Sequence, residues 1–215
     1  LMKRILVPTD FSNHAEYALK VAAQIAKKND GEIFLIHMLE LPTAGADALS
    51  RSHEMPELML FKNIALKKLD ELMDSDFLGD IKISRIIQFE LAFDGIVKNA
   101  EAQNIDLIVM GSHGASGFQE MFIGSNTEKV VRNSEVPVLV VKREEPKFNA
   151  DTFVFASDFS DEAKKPFQRA FSFAQGFNSH LHLVNINTPN NFKSTKVAEE
   201  TMEAFLEGID KTNIT

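Results

Sequence analysis

The sequence predicts an α/β protein built on an open, parallel, five-stranded sheet with helices on both faces, followed by a partial second copy of the same pattern. Three observations predict it. Short apolar runs alternate with stretches of helical period. Connections bearing proline, aspartate or glycine follow the first and fourth apolar runs. The opening pattern then starts again 148 residues later.

Arg4–Thr9 is an apolar run closed by Pro-Thr-Asp and reads as a buried strand. Asn13, with Glu16 three residues on, matches a capping box for the helix that follows. Ala15, Leu19, Ala22 and Ala26 recur at helical spacing, and Asp30-Gly31 stops that helix. Ile33–Leu39 is a second strand, and residues Glu40–Met55 form a long connection of the kind that often serves as a lid. Pro56–Phe77 has a helical period through Leu60, Ile64, Leu66 and Leu69. Ile81–Phe89 then reads as a strand, Asp94–Gln103 as a helix and Asp106–Met110 as a fully buried strand. Gly124–Asn133 is the fourth helix, and Val136–Val141 the fifth strand with Pro137 tolerated at its start. Such alternation implies right-handed crossovers and a sheet covered on both faces. Ligands of such sheets lie at the carboxyl ends of strands, where the strand order reverses. Pro8-Thr9-Asp10 and the stretch after Met110 both fall at such ends.

Composition narrows the classes of function. The chain has 44% hydrophobic and 25% charged residues, the balance of a soluble globular protein. No apolar run approaches the roughly 18 residues of a membrane span, so no membrane partner is expected. Leu1 before Met2 is read as a cloning remnant, and the apolar tetrad before Pro8 is too short for a signal peptide. Cysteine is absent, which excludes disulfides and thiolate zinc sites and fits a cytoplasmic protein. With 23 basic and 31 acidic residues the net charge is −8, which argues against a nucleic-acid surface. A phosphate bound here must be held by local backbone groups.

The repeat aligns Phe153-Val-Phe-Ala-Ser-Asp-Phe-Ser160 with Ile5-Leu-Val-Pro-Thr-Asp-Phe-Ser12. It continues without a gap through Ala163, Ala170 and Ala174, then Leu183 and Asn185. The predicted domains are therefore residues 2–143 and a partial strand–helix–strand–helix copy at residues 151–215. That copy carries seven phenylalanines between Phe153 and Phe177, more than so small a fragment easily buries alone. Either its remainder is missing or it leans on another surface.

Gly111-Ser-His-Gly114-(x9)-Gly124-Ser125 follows a buried strand and opens a helix. Glycines there let backbone N–H groups approach an anion, and the helix start adds unpaired N–H groups and a positive dipole end. Ser125 adds a hydroxyl, and with Glu128 it also forms a capping-box pattern. His113 in this loop reads as solvent-exposed, and Asp10 is weighed evenly between a turn cap and base or metal work. His180 and His182 share a strand face but lack a third metal ligand in view.

These motifs together resemble the universal stress protein family, in its ATP-binding branch. They are Ile-Leu-Val-Pro-Thr-Asp, Asp-Leu-Ile-Val-Met-Gly, the G-x2-G-x9-G-S spacing and Pro-Val-Leu-Val-Val at 137–141. The resemblance spans residues 2–142, and residues 151 to about 210 as the first half of a second copy. It implies a Rossmann-like, adenine nucleotide alpha hydrolase-like fold and a role in stress response. It implies that Pro8, Thr9 and Asp10 line an adenine nucleotide and that Met38 lies against adenine. Met110, Gly111, Gly114, Gly124, Ser125 and Asn126 would wrap ribose and phosphates, with Mg²⁺ or Mn²⁺ on the phosphates. Asn126 stands where the family has a small apolar residue. Ala156-Ser157 replaces Pro8-Thr9 in the second copy, so no complete nucleotide site is expected there. Paired domains of the family meet through the fifth strand, which implies a homodimer through Val136–Val141. Two rival readings stand beside ATP-dependent regulation. One is a slow ATPase using Asp10 and a metal, although no Walker lysine or arginine finger accompanies the loop. The other is an interaction module whose loop stays empty.

Overall fold

The computed structural model describes residues 2–39, 55–113, 123–189 and 192–215. The chain divides into two compact units, Leu1–Phe148 and Asn149–Thr215.

In the first unit β1 (Arg4–Pro8), β2 (Glu32–Met38), β3 (Lys82–Gln88), β4 (Leu107–Gly111) and β5 (Val138–Val141) form one sheet in the order β3-β2-β1-β4-β5. Every adjacent pair is parallel. The helices are α1 (Asn13–Asn29), α2 (Met55–Met73), α3 (Ala92–Ala102) and α4 (Ser125–Asn133). Ile5, Leu6 and Val7 of β1 are wholly buried, and all five residues of β4 are buried, as apolar strands covered on both faces must be. Leu6, Phe34, Ile36, Ile108 and Met110 share one face with Ile96, Ala100 and Val130 from α3 and α4. On the other face α1 packs against β1 and β4. It buries Leu19 together with Ala15, Ala18, Ala22 and Ala26, and the small side chains of the alanines allow a close approach. The strand order reverses between β1 and β4, so the ends of those two strands bound a crevice.

The expected elements are all present, with ends displaced by a few residues. Three local readings are corrected. Ser12, not Asn13, caps α1: its side chain accepts from the N–H of Ala15. The cause is the preceding turn, in which Phe11 takes a positive φ of 66° and Asp10 Oδ1 accepts from the N–H of Ser12 at 3.0 Å. In α2 the inward residues include Ala65 and Leu69, whereas Leu60 and Ile64 are exposed. Apolar side chains surround much of that helix, so its period did not select the face that β3 would cover. Ser125 does not cap α4; Gly124 stands at the cap with no side-chain acceptor, and Glu128 pairs with Arg132 instead. Gly114 and the lid reading of residues Glu40–Met55 lie outside the described residues, except that Met55 opens α2.

The second unit contains β6 (Thr152–Ser157), a 3₁₀ turn (Asp161–Ala163), α5 (Lys164–Phe177), β7 (His180–Asn185) and α6 (Thr195–Phe205). Its two strands pair in parallel as Phe153↔Leu181, the register of Ile5↔Ile33 moved by the repeat offset. The turn after β6 repeats as well. Phe159 has φ 54°, Ser160 N–H donates to Asp158 Oδ1 at 3.0 Å, and that bond holds the Asp158 carboxyl below its ordinary range. The corresponding helices α1 and α5 both end on a left-handed residue, Asp30 and Asn178. The unit's core is Phe159, Phe167, Leu181, Phe205 and Leu206, with Phe153, Phe155 and Phe171 packed against it. Beyond the repeat, Ile214 bridges Leu181 in parallel, on a β7 edge. Among the described residues no helix is long and apolar enough to cross a membrane.

Candidate functional site

The crevice at the strand-order reversal holds a cavity of about 460 Å³. Pro8, Thr9 and Asp10 line it from the end of β1, Met38 from the end of β2, and Met110 and Gly111 from β4. Gly124, Ser125 and Asn126 line it from the start of α4. Every described residue that the sequence placed at the site is therefore brought together. Gly114 is the one predicted position outside the described residues. The sequence reading did not include Ala15, Ile36, Ala92, Ile96 and Thr127, which complete the wall. Ile36 was legible in principle, because it lies two residues before Met38 on the same strand face.

Backbone bonds fix the two loops. Thr9 N–H donates to Ile36 O at 2.8 Å, and Thr9 Oγ1 accepts from Phe11 N–H at 3.1 Å. His37 Nδ1 lies 2.7 Å from the Thr9 carbonyl, the donor when that nitrogen carries the proton. On the glycine side, Ser112 N–H donates to Val141 O at 3.0 Å and Gly124 N–H donates to Ser112 O at 2.7 Å. The last bond ties the start of α4 to the end of β4, across the intervening loop. The buried hydroxyl of Thr127 donates to Gly111 O at 2.9 Å, a second tie between the same elements. Thr127→Val keeps the shape and removes that donor. It is expected to lower stability by about 1–2 kcal/mol, measured by chemical denaturation. An unchanged denaturation midpoint would contradict this role.

Gly111 needs to be glycine for reasons of space. A Cβ there would lie 2.7 Å from both the carbonyl carbon and oxygen of His14 on α1. His113, read from sequence as solvent-exposed, is half-buried and lines the cavity instead. Its ring lies 5.5 Å from that of His14, Nδ1 lies 3.0 Å from Ser112 Oγ, and the buried Nε2 meets no partner among the described residues. A buried nitrogen left in that state costs roughly 1–3 kcal/mol, which a ligand able to hydrogen-bond with it would recover.

The described lining contains apolar groups on the β2–α3 side and main-chain donors on the α4 side, and neither lysine nor arginine. The first turn of α4 has no side-chain cap hydrogen bond, and Gly124–Thr127 line the cavity, which puts the helix's N-terminal end at the site. An aromatic group with an anionic tail suits that division. Asp10 Oδ1 accepts from Ser12 N–H within its turn, and Asp158 makes the same turn in the second unit. A separate cleft of about 550 Å³ lies among Lys3, Lys27, Asp30, Glu32, Asp80 and Lys82. It mixes both charges, and Glu32 is already paired with Arg4 and Lys82, its carboxyl held low chiefly by Lys82. That cleft carries no comparable division of chemistry.

Known proteins agree with the sheet and the motifs. The universal stress protein family model matches residues 2–142. Universal stress protein MJ0577 of Methanocaldococcus jannaschii is 36% identical over 160 residues, covering 66% of this chain and 96% of that protein. Universal stress protein MJ0531 of the same organism is 34% identical over 145 residues, covering 66% and 84%. The solved structure of MJ0577 superposes with a TM-score of 0.57 at 34% identity, over 67% of this chain and 98% of that one. A universal stress protein from Archaeoglobus fulgidus matches 100% of this chain with 75% of its own length, at TM-score 0.64 and 26% identity. On the family match, the relatives and the superposition on their solved structures, the chain belongs to the universal stress protein family.

Proposed function

We propose that the first unit binds ATP, with Mg²⁺ or Mn²⁺ on the phosphates, and that the protein acts as a nucleotide-dependent regulator in stress response. The observation that carries this reading is the divided cavity. An apolar slot between Met38 and α3 suits adenine, and the uncapped start of α4 suits phosphate oxygens. In it, Pro8, Thr9 and Asp10 border the nucleotide, Met110 and Gly111 pass beneath the ribose, and Gly124, Ser125 and Asn126 meet the phosphates. Gly114 is assigned to the phosphates with them. His113 Nε2 supplies one further polar contact. With no basic side chain in the described lining, the divalent ion is the expected source of positive charge.

Binding without turnover is favoured over a slow ATPase by Asp10. Its Oδ1 serves the turn, as that of Asp158 does in the second unit. The second unit belongs to this reading as a further copy of the opening strand–helix–strand–helix pattern, with Ala156-Ser157 where the first copy has Pro8-Thr9. It is supported by the shared register and by the Archaeoglobus match over the full chain. A cytoplasmic homodimer through Val136–Val141 completes the proposal, since an apolar edge strand invites pairing.

Native mass spectrometry after incubation with ATP and Mg²⁺ tests ligand and assembly together. The expected species is two chains carrying one adenine nucleotide each. Chains that remain free of nucleotide at millimolar ATP would refute the binding reading, and single chains loaded with nucleotide would refute only the dimer.

A further inference from the structure

Gly95 is a glycine in the interior of α3, a position where glycine is the poorest choice apart from proline. Its backbone does not require it, because the described glycines with positive φ are Gly79 and Gly208. Gly95 is buried, its N–H donates to Leu91 O at 3.0 Å, and its carbonyl accepts from Asn99 Nδ2 at 2.7 Å, as any residue's could. The reason for glycine is the space beside it. A Cβ at this position would lie 2.0 Å from the Met38 methyl carbon and 2.9 Å from its sulfur.

Met38 lines the cavity together with Ala92 and Ile96, which flank Gly95 on the same helix. The thioether therefore lies between α3 and the slot. Were the space at residue 95 filled, the methionine would have to move. Ile36 and Ile96 are buried at 0% and 2% exposure and close the core side. The cavity that Met38 lines offers room on the opposite side, so the thioether can rise into it.

We propose that Gly95 is a positioning residue of the site. By lacking a side chain it seats the Met38 thioether below the slot and so sets the depth available to a purine ring. A thioether held there presents soft, polarizable surface to an aromatic face. This rests on the adenine-nucleotide reading above, and it adds the residue that keeps the base slot open.

The test compares the full chain with Gly95→Ala, Met38→Ala and the double variant, each titrated with ATP and Mg²⁺ by calorimetry. Gly95→Ala is expected to weaken binding roughly ten- to a hundred-fold, because the displaced thioether takes up space the base would fill. Its melting temperature should be no lower than that of the unaltered chain, since alanine favours the helix. In the Met38→Ala background the same substitution should change affinity less than about twofold, because the clashing atoms are gone. Unchanged affinity in Gly95→Ala, or an undiminished loss in the Met38→Ala background, overturns the proposal. The seat is also read without nucleotide, through the Met38 methyl resonance, which should move in Gly95→Ala. A resonance that stays in place overturns the seat itself whether or not ATP binds. An unaltered chain that fails to bind ATP overturns the nucleotide reading instead.

Discussion

Gly111→Ala is expected to cost about 3 kcal/mol of stability in the first unit, the upper part of the range for overpacking a close-packed contact. The added methyl would meet the His14 carbonyl carbon and oxygen at 2.7 Å and its Cβ at 2.9 Å. Backbone atoms in a helix cannot swing aside as a side-chain end can. Either α1 separates from β4 or the end of β4 twists away. α1 packs on both β1 and β4, so separation disturbs buried residues at Ala15, Ala18, Leu19 and Ala22. Twisting instead displaces the Gly111 carbonyl that Thr127 holds and the Ser112 carbonyl that Gly124 holds. Either response opens the phosphate end of the site, so ATP affinity should fall by more than about a hundred-fold, equivalent to losing its main phosphate contacts. Chemical denaturation and calorimetric titration read the two effects. A stability loss below about 1 kcal/mol would mean that the close approach of α1 is not rigid.

Phe167→Ala should act on the other unit. Phe167 is 1% exposed, with the rings of Phe155, Phe171 and Phe205 centred 5.3, 5.7 and 5.2 Å away. Truncating such a residue costs about 3–5 kcal/mol through lost burial and the cavity left behind. A unit this small has little stability in reserve, so its fold should be lost at ordinary temperature. Hydrogen exchange is then expected to lose protection in β6 and β7 while β1 and β4 keep theirs. ATP affinity should stay within about twofold, because the proposed site draws every residue from the first unit. Protection retained in β6 and β7 would contradict the central place given to Phe167.

Much of this was legible in the sequence because backbone geometry and burial leave few alternatives for strongly patterned segments. The apolar runs at Arg4–Pro8 and Leu107–Gly111 could be satisfied only as buried strands. The repeat was legible from matched residues, and the structure extends it: the left-handed residues at Asp30 and Asn178 and the turns at Asp10 and Asp158 recur at the same offset. What escaped was set by tertiary contact. The inward face of α2 depended on its contact with β3, not on its period. The cap of α1 depended on the positive φ of Phe11, and a phenylalanine gives no warning of that conformation. His113 turned inward because Ser112 and His14 flank its ring, which neighbouring residue types alone could not reveal. Gly95 gave a signal, as a glycine within a helical stretch, but its meaning needed the position of Met38.

The most direct measurement is hydrogen exchange of the full chain with and without ATP and Mg²⁺, followed segment by segment. Binding at the β1–β4 crevice predicts added protection at Thr9–Ser12, Gly111–His113 and Gly124–Thr127. The matching turn at Ser157–Ser160 should exchange at the same rate in both conditions. Protection that appears at Ser157–Ser160, or at none of the first three segments under saturating ATP, would contradict the account.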